Sequence, residues 1–395
     1  MNKIILFIVI CFTFMTTAEA QNAQNSQSIV VGAERTNLYL PLLKGKRIAV
    51  LTNQTGRIGN ENIVDFLHGK KINIITIFSP EHGFRGNADA GEHVGNSIDE
   101  QTGIPICSLY GGNVHKSLDS LLQTIDVLAF DLQDVGLRYY TYLTTMVQVM
   151  NACATHHVKM IVLDRPNPNG FYVDGPILDM KYKSGVGAVP VPVVHGMTLG
   201  ELARMINSKK WLSDGQQCDL TVIPCLHYTH AMHYQLPVKP SPNLPNMRSV
   251  YLYPSLCYFE ATPVSVGRGT DAPFQQFGNP HMTGYSYSFT PRSMPGAMNP
   301  PCLNQLCYGV DLRTEPSDQV LFKNGLDLSY LIEAYRNLHM GDAFFNSFFE
   351  KLIGVGYVRS MIESGKSAKE IKARWKSDVE KFKIERKPYL LYPER

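Results

Sequence analysis

Val127-Leu-Ala-Phe130, then Asp131-Leu-Gln-Asp-Val-Gly-Leu-Arg-Tyr-Tyr-Thr-Tyr142, then the helical pattern of Thr144–Ala154 decide the fold class of this 395-residue chain. Contiguous apolar residues read as a strand buried on both faces, because a strand with one wet face would alternate apolar and polar residues. A charged connection then leads into an apolar-periodic helix. Strand, polar loop and helix form the repeating half of a βαβ unit, in which helices cover a parallel sheet.

The same pattern extends to either side. Short β-rich runs stand at Arg47–Leu51, Ile72–Phe78, Ile106–Tyr110, Met160–Leu163 and Val191–Val194, with helical patterns at Ile63–Leu67, Ser117–Leu122 and Leu199–Ile206. The expected fold is α/β. A Rossmann-like lobe with a mainly parallel sheet spans 29–240, a smaller α/β (α+β) C-terminal lobe spans 241–395, and the site lies in the cleft between them. The boundary falls at Pro240-Ser-Pro-Asn-Leu-Pro245, which can be neither a long helix nor a central strand. Beyond it, 251–300 reads as aromatic and glycine-rich loops, 305–312 as a strand, and 328–339, 343–352 and 367–383 as helices, the last opened by Ser367 and Glu370. Asn53-Gln-Thr-Gly56, after the first strand, lacks the G-x-G-x-x-G turn of a dinucleotide site. Gly185-Val-Gly187 and Gly354-Val-Gly356 are isolated and carry little information.

Lys3, the apolar run Ile4–Phe14 and Ala18-Glu-Ala20 read as a secretory signal over 1–20, cleaved near Ala20 and followed by a polar leader over 21–28. The run is shorter than the about 20 residues a spanning helix needs. Cys11 lies inside it behind Ile10 rather than a small residue, which argues against lipidation. The expected location is periplasmic or secreted, without stable membrane insertion. A net charge of +3, with no basic run interleaved with aromatics, argues against nucleic acid as a partner. The cysteines are too few for a disulfide scaffold, and Cys302 and Cys307 are either a hairpin disulfide or two buried thiols.

Charged groups stand directly after several expected strands, the edge where an open parallel sheet binds ligands. Glu81, His82 and Arg85 follow in Ser79-Pro-Glu-His-Gly-Phe-Arg-Gly86. Asp131, Gln133 and Asp134 open the next segment, and Asp164, Arg165 and Asn167 follow in Asp164-Arg-Pro-Asn-Pro-Asn-Gly170. Cleaving a glycosidic bond needs an acid to protonate the leaving oxygen, and a second group that activates water or stabilises an oxocarbenium-like centre. Two acids in one cleft can divide these tasks when their surroundings separate their pKa values. Glu81, beside Pro80, His82 and Phe84, is one candidate. Glu92, in the glycine-flanked loop Asp89-Ala-Gly-Glu-His-Val-Gly95, is its equal, and Asp134 completes the catalytic set. The plainer reading has these acids capping helices or pairing with arginines.

Tyr139, Tyr140 and Tyr142 offer sugar-stacking surface and hydroxyl donors, although Tyr139 and Tyr142 share a helical face and can simply pack. Arg85, Arg138 and Arg268 can hold a carboxylate through paired hydrogen bonds. Glu260 and Ser265-Val-Gly-Arg-Gly-Thr-Asp271 supply a glycine loop with paired charges, which either cradles an anion or is a plain turn held by an Arg268–Asp271 contact. Asn243, on the proline-rich crossing, joins Arg268 and Asp271 among the substrate-binding candidates. The mature chain has no G-x-S-x-G, S-x-x-K, H-E-x-x-H or C-x-x-C. His227, His230 and His233 have a spacing that can suit a metal but lack a neighbouring carboxylate, so neither metal nor cofactor is expected.

Ser79-Pro-Glu-His-Gly-Phe-Arg-Gly, Asp131-Leu-Gln-Asp-Val-Gly-x-Arg-Tyr-Tyr-Thr-Tyr, Asp164-Arg-Pro-Asn-Pro-x-Gly, Pro240-Ser-Pro-Asn-Leu-Pro and Gly267-Arg-Gly-Thr-Asp-x-Pro-Phe resemble the NamZ-type exo-β-N-acetylmuramidases, formerly a domain of unknown function. The resemblance runs from about residue 29 to Lys387-Pro-Tyr-Leu-Leu-Tyr392. It implies a glycoside hydrolase that releases N-acetylmuramic acid from the non-reducing ends of peptidoglycan fragments, with the site between two lobes. It also implies that Glu81, Glu92 and the Asp131–Tyr142 segment border that site. Muramic acid carries a lactyl carboxylate, which gives the arginines a specific task. The competing class is a non-catalytic extracytoplasmic glycan- or solute-binding protein, which also uses two lobes and a cleft.

Overall fold

The computed structural model describes residues 28–81, 83–84, 97–109 and 114–395. The expected signal segment and the candidates His82, Arg85 and Glu92 lie outside the described residues.

The first lobe is built on a seven-stranded sheet. Its strands are β1 (Arg47–Thr52), β2 (Asn73–Ser79), β3 (Ser97–Ile98), β4 (Pro105–Ser108), β5 (Val127–Asp131), β6 (Lys159–Leu163) and β7 (Leu220–Ile223). They lie side by side as β7-β6-β5-β1-β2-β4-β3, all neighbours parallel except the edge pair β3 and β4. Without that edge strand the order is that of a doubly wound sheet. The chain works outward from β1 through β2 and β4 on one side, then through β5, β6 and β7 on the other. Ligands in such sheets sit beyond the carboxyl ends of the strands at the reversal. Thr52 and Asp131, paired in register at the ends of β1 and β5, mark that point.

Side-chain alternation explains the contiguous apolar runs. Ala49, Leu51, Leu128, Phe130, Met160 and Val162 belong to one apolar cluster, while Ile48, Val50, Val127, Ile161 and Leu163 belong to another. Neighbours in one strand thus enter cores on opposite faces. Each of the larger side chains contributes roughly 1.5–3 kcal/mol by leaving water. Helices α1 (Thr36–Leu43) and α2 (Ile63–Gly69) cover the second cluster; α3 (Val114–Leu122), α4 (Thr141–His156) and α5 (Leu199–Ser208) cover the first.

The second lobe holds α6 (Met247–Leu256), a three-stranded antiparallel sheet of β8 (Gln276–Asn279), β9 (Tyr287–Phe289) and β10 (Cys307–Asp311), and helices α7 (Asp318–Asn324), α8 (Ser329–Leu338), α9 (Phe349–Ile353), α10 (Tyr357–Glu363) and α11 (Ala368–Arg386). The first cluster continues into this lobe through Tyr251, Leu256, Phe277, Phe349 and Trp375, so both lobes share one core.

Two expectations need correction. Pro192–Val194 pairs antiparallel with Asp174–Ile177 in a separate ribbon, and the partly polar run Leu220–Ile223 takes the place at the sheet edge. Residues 251–256, expected as loop, belong to the helix over 247–256. Asn246 and Ser249 cap that helix reciprocally, and Pro254 lies in its last turn. Of the two readings left open for Cys302 and Cys307, the structure has the free thiols.

Candidate active site

A cavity of about 280 Å³ lies where the ends of β2 and β5 meet the second lobe. Glu81, just past β2, lines it from one side, and Tyr139, Tyr140 and Thr141 at the start of α4 line it from another. Ser241 and Asn243 come from the proline-rich crossing, and Glu260, Arg268 and Phe274 from the second lobe. Of the candidates read from sequence, the cavity therefore gathers Glu81, Tyr139, Tyr140, Asn243 and Arg268.

Glu81 is 9% exposed, and its Oε2 accepts a hydrogen bond from Thr141 Oγ1 at 2.7 Å. Thr141 is the first residue of α4, so the carboxylate stands at the end of a sixteen-residue helix where backbone N–H groups lack helical acceptors. The tyrosine hydroxyls are already committed: Tyr139 donates to the carbonyls of Tyr253 and Pro254 at 3.2 and 3.0 Å, and Tyr140 to that of Pro240 at 2.9 Å. What these residues present to the cavity is ring surface. Tyr139 is braced edge-on by Tyr253 and Tyr258 at centroid distances of 5.5 and 5.9 Å.

Arg268 pairs with Glu260 rather than Asp271. Its Nε lies 2.9 Å from Glu260 Oε1, which also accepts from Nη2, and the guanidinium carbon sits 5.2 Å from the Phe274 ring centroid. Two donors on one carboxylate oxygen and an aromatic plate beneath fix the plane of the guanidinium. Glu260 lines the cavity, and sequence reasoning left it out of its set of substrate-binding candidates. The only signal was its place near the glycine loop, because its partner is eight residues away across a 3₁₀ turn and a loop rather than at helical spacing. Asp271 is exposed beside a neighbouring cavity and makes no hydrogen bond or ion pair among the described residues.

The remaining candidates among the described residues do not line the 280 Å³ cavity. Asp131 and Arg165 form a buried two-pronged ion pair, with Nε to Oδ1 at 2.6 Å and Nη2 to Oδ2 at 2.9 Å. Asp164 accepts from Thr198 Oγ1, Gly200 N–H and the Tyr392 hydroxyl, so it anchors the start of α5 and the C-terminal segment together. Burial pushes its carboxyl up to about 6, against the lowering effect of those hydrogen bonds. Gln133 donates to the carbonyls of Asp134 and Pro166, and Asn167 to that of Met197. Asp134 accepts the Gly136 N–H at 2.6 Å through Oδ1, while its buried Oδ2 has no partner among the described residues. Burial pushes its carboxyl up to about 7.

Arg138 is fully buried. Its Nη1 donates to the carbonyls of Pro176 and Val191, and its Nη2 to those of Leu352 and Ile353 at the end of α9. A Cβ on Gly354, whose φ is +83°, would lie 2.5 Å from Arg138 Nη2. The Gly354-Val-Gly356 stretch that looked uninformative thus leaves room for the arginine that joins the lobes.

The three histidines go separate ways. His230 pairs with the buried Glu201 at 3.0 Å, His233 stacks on Phe322 at 4.1 Å, and His227 is exposed.

Comparison with known proteins fits this layout. The N-terminal model of the family described as exo-beta-N-acetylmuramidase NamZ matches residues 48–248, and the C-terminal model matches 251–392. The chain belongs to the NamZ family. It is 40% identical over 375 residues to the peptidoglycan beta-N-acetylmuramidase NamZ of Bacillus subtilis (strain 168), covering 90% of this chain and 89% of that one. A crystal structure of a DUF1343 family protein from Bacteroides fragilis NCTC 9343 superposes with a TM-score of 0.87 at 58% identity, covering 93% of this chain and all of that one. A second from the same organism superposes with a TM-score of 0.78 at 28% identity, covering 92% and 99%. In this NamZ-family chain, the cavity offers one buried carboxylate, an aromatic wall and a guanidinium held in a fixed plane. That set suits an anionic sugar whose glycosidic bond is to be protonated.

Proposed function

We propose that this chain is an exo-acting glycoside hydrolase that releases N-acetylmuramic acid from the non-reducing ends of peptidoglycan fragments, with Glu81 and Glu92 as its catalytic carboxylates. The observation that carries the site assignment is Glu81, buried and held by Thr141 in the cavity that Arg268 also lines. Arg268 takes the lactyl carboxylate, and the rings of Tyr139 and Tyr140 take the sugar face. Asp134, which does not line the cavity, is given no part in breaking the bond. A small cavity between lobes that meet near residue 240 suits one terminal sugar better than the middle of a glycan strand.

No helix among the described residues is long and apolar enough to cross a membrane. Together with the signal-like residues 1–20, this supports work in the periplasm or outside the cell, where such fragments arise.

The test is hydrolysis of a chromogenic N-acetylmuramide by the purified protein. Wild type is expected to release the sugar. Glu81→Gln is expected to lose roughly 10²–10⁴-fold in kcat, the range of a lost general acid or base, with an unchanged circular-dichroism spectrum. Saturable sugar binding without product would leave a binding protein instead, and wild-type turnover in Glu81→Gln would remove Glu81 from the chemistry.

A further inference from the structure

Away from the active cavity, helix α11 carries a basic face. Lys369, Lys376 and Lys383 follow one another at seven-residue steps, so they share one side of the helix at intervals of about 10.5 Å. They line a hollow of about 660 Å³, together with Val173 and Asp174 at the start of the antiparallel ribbon and Leu326 and Asp327 between α7 and α8. None of its lining residues lines the active cavity. The acids of this hollow are already engaged. Lys372 Nζ meets Asp174 Oδ2 at 2.8 Å and donates to the carbonyls of Asn324 and Leu326 at 2.8 and 2.9 Å, while Trp375 Nε1 donates to Asp174 Oδ1 at 2.9 Å. Lys383 pairs with Glu380 at 2.8 Å, and Asp327 caps α8 by accepting the Ser329 N–H at 2.8 Å. Lys369 and Lys376 are left over. Both are exposed, and among the described residues neither ammonium makes a hydrogen bond or ion pair. A second hollow, of about 680 Å³, shares the exposed Ser329 and Lys369 with the first. It adds the exposed Arg336, and its acid, Glu333, accepts from the Tyr285 hydroxyl at 2.7 Å.

We infer that these two hollows hold a carboxylate-bearing stretch of a peptidoglycan glycan strand, as a binding surface separate from the active cavity. The identity of the polymer rests on the proposed hydrolase activity. Muramic acid recurs on alternate sugars, so a strand stripped of its peptides repeats a lactyl carboxylate once per disaccharide. Cations set at intervals along α11 on flexible stems match such a repeating anion better than a single small one, which needs donors converging on a point. Two hollows side by side likewise suit an extended chain. A bilayer of anionic lipid is the other partner with repeating negative charge, but a plane of headgroups does not enter a hollow.

The experiment titrates peptide-stripped glycan strands into the full chain by calorimetry. The strands end in N-acetylglucosamine at the non-reducing end, so an exo-acting muramidase leaves them intact. Wild type is compared with the double variant Lys369→Glu/Lys376→Glu and with the milder Lys369→Gln/Lys376→Gln. Wild type is expected to bind the strands, less tightly as salt screens the exposed charges, and to bind chitin oligosaccharides, which lack the lactyl carboxylate, about tenfold more weakly. The Glu pair is expected to weaken strand binding about tenfold and the Gln pair less, as for exposed ion pairs, while kcat/KM for a nitrophenyl N-acetylmuramide stays at the wild-type value. Equal strand affinity in wild type and both variants would overturn the proposal, and so would equal affinity for strand and chitin oligosaccharide. Vesicles of phosphatidylglycerol and phosphatidylcholine form a third arm: binding to them that the Glu pair abolishes, without binding to strands, would give this face to a membrane instead. If wild type does not cleave the muramide, the hydrolase reading fails by itself, and the strand titration still decides whether α11 binds this polymer.

Discussion

At Arg268 the guanidinium plane is set by Glu260 Oε1 on one edge and the Phe274 ring beneath. Lysine at this position would keep the charge but offer a point donor on a flexible stem. Arg268→Lys is therefore expected to raise KM for a muramide about tenfold while moving kcat and the unfolding midpoint little, which steady-state kinetics and thermal unfolding would read. An unchanged KM would mean that the arginine only pairs with Glu260. Asp134 makes a prediction of a different kind. Its carboxyl titrates near 7 in the fold, whereas an unfolded aspartate titrates near about 4. The folded state therefore holds the proton that the unfolded state releases, and this contribution is whole below about pH 4 and lost as pH rises through about 7, at up to roughly 1.4 kcal/mol per pH unit. An amide in its place cannot titrate. The stability of wild type relative to Asp134→Asn, from urea unfolding, is expected to fall across that window and level off above it; a difference independent of pH would show that Asp134 is not held protonated. His195, pushed down to about 3 mainly by burial, has the opposite sign, its contribution being lost on acidification. It cancels in the comparison because both proteins carry it.

Elements were legible where one local rule decides them. The runs at 47–51, 127–130 and 160–163 are strands buried on both faces, so contiguous apolar residues identified them at once. Leu220–Ile223 was not legible, because this edge strand is only half-buried and needs no such run. The helix over 247–256 was hidden by Pro254. A proline there costs the helix the hydrogen bond to the Val250 carbonyl, and that carbonyl is met instead by Asn169 Nδ2 at 3.4 Å, a partner 81 residues away. Arg138 shows the same limit. It follows β5 among acids and tyrosines, like a substrate-binding residue, yet two of its four acceptors close α9 more than two hundred residues later. Arg138→Met would leave the Leu352 and Ile353 carbonyls without this donor. At about 1–3 kcal/mol for each unsatisfied group, partly relieved by relaxation, a loss of at least about 3 kcal/mol is expected in urea unfolding. A loss under about 1 kcal/mol would mean that the lobes do not depend on this joint.

On the scale of the whole molecule, the first lobe brings Glu81 and the start of α4 to the sheet edge, and the second lobe closes over them with Glu260, Arg268 and Phe274. Because one apolar cluster runs through both lobes, the cavity is formed by the fold itself. Sequence reading found the first-lobe half of this site through acids placed after strands. Of the second-lobe half it named Arg268 but left Glu260 out of the candidate set, because nothing local in the chain pairs the two across the turn and loop between them. The most direct measurement is a crystal structure of Glu81→Gln grown with an N-acetylmuramide. The sugar ring is expected against Tyr139 and Tyr140, with its glycosidic oxygen within hydrogen-bond reach of residue 81 and its lactyl carboxylate on Arg268. A muramide bound elsewhere, with the cavity between Glu81 and Arg268 empty, would contradict the assignment.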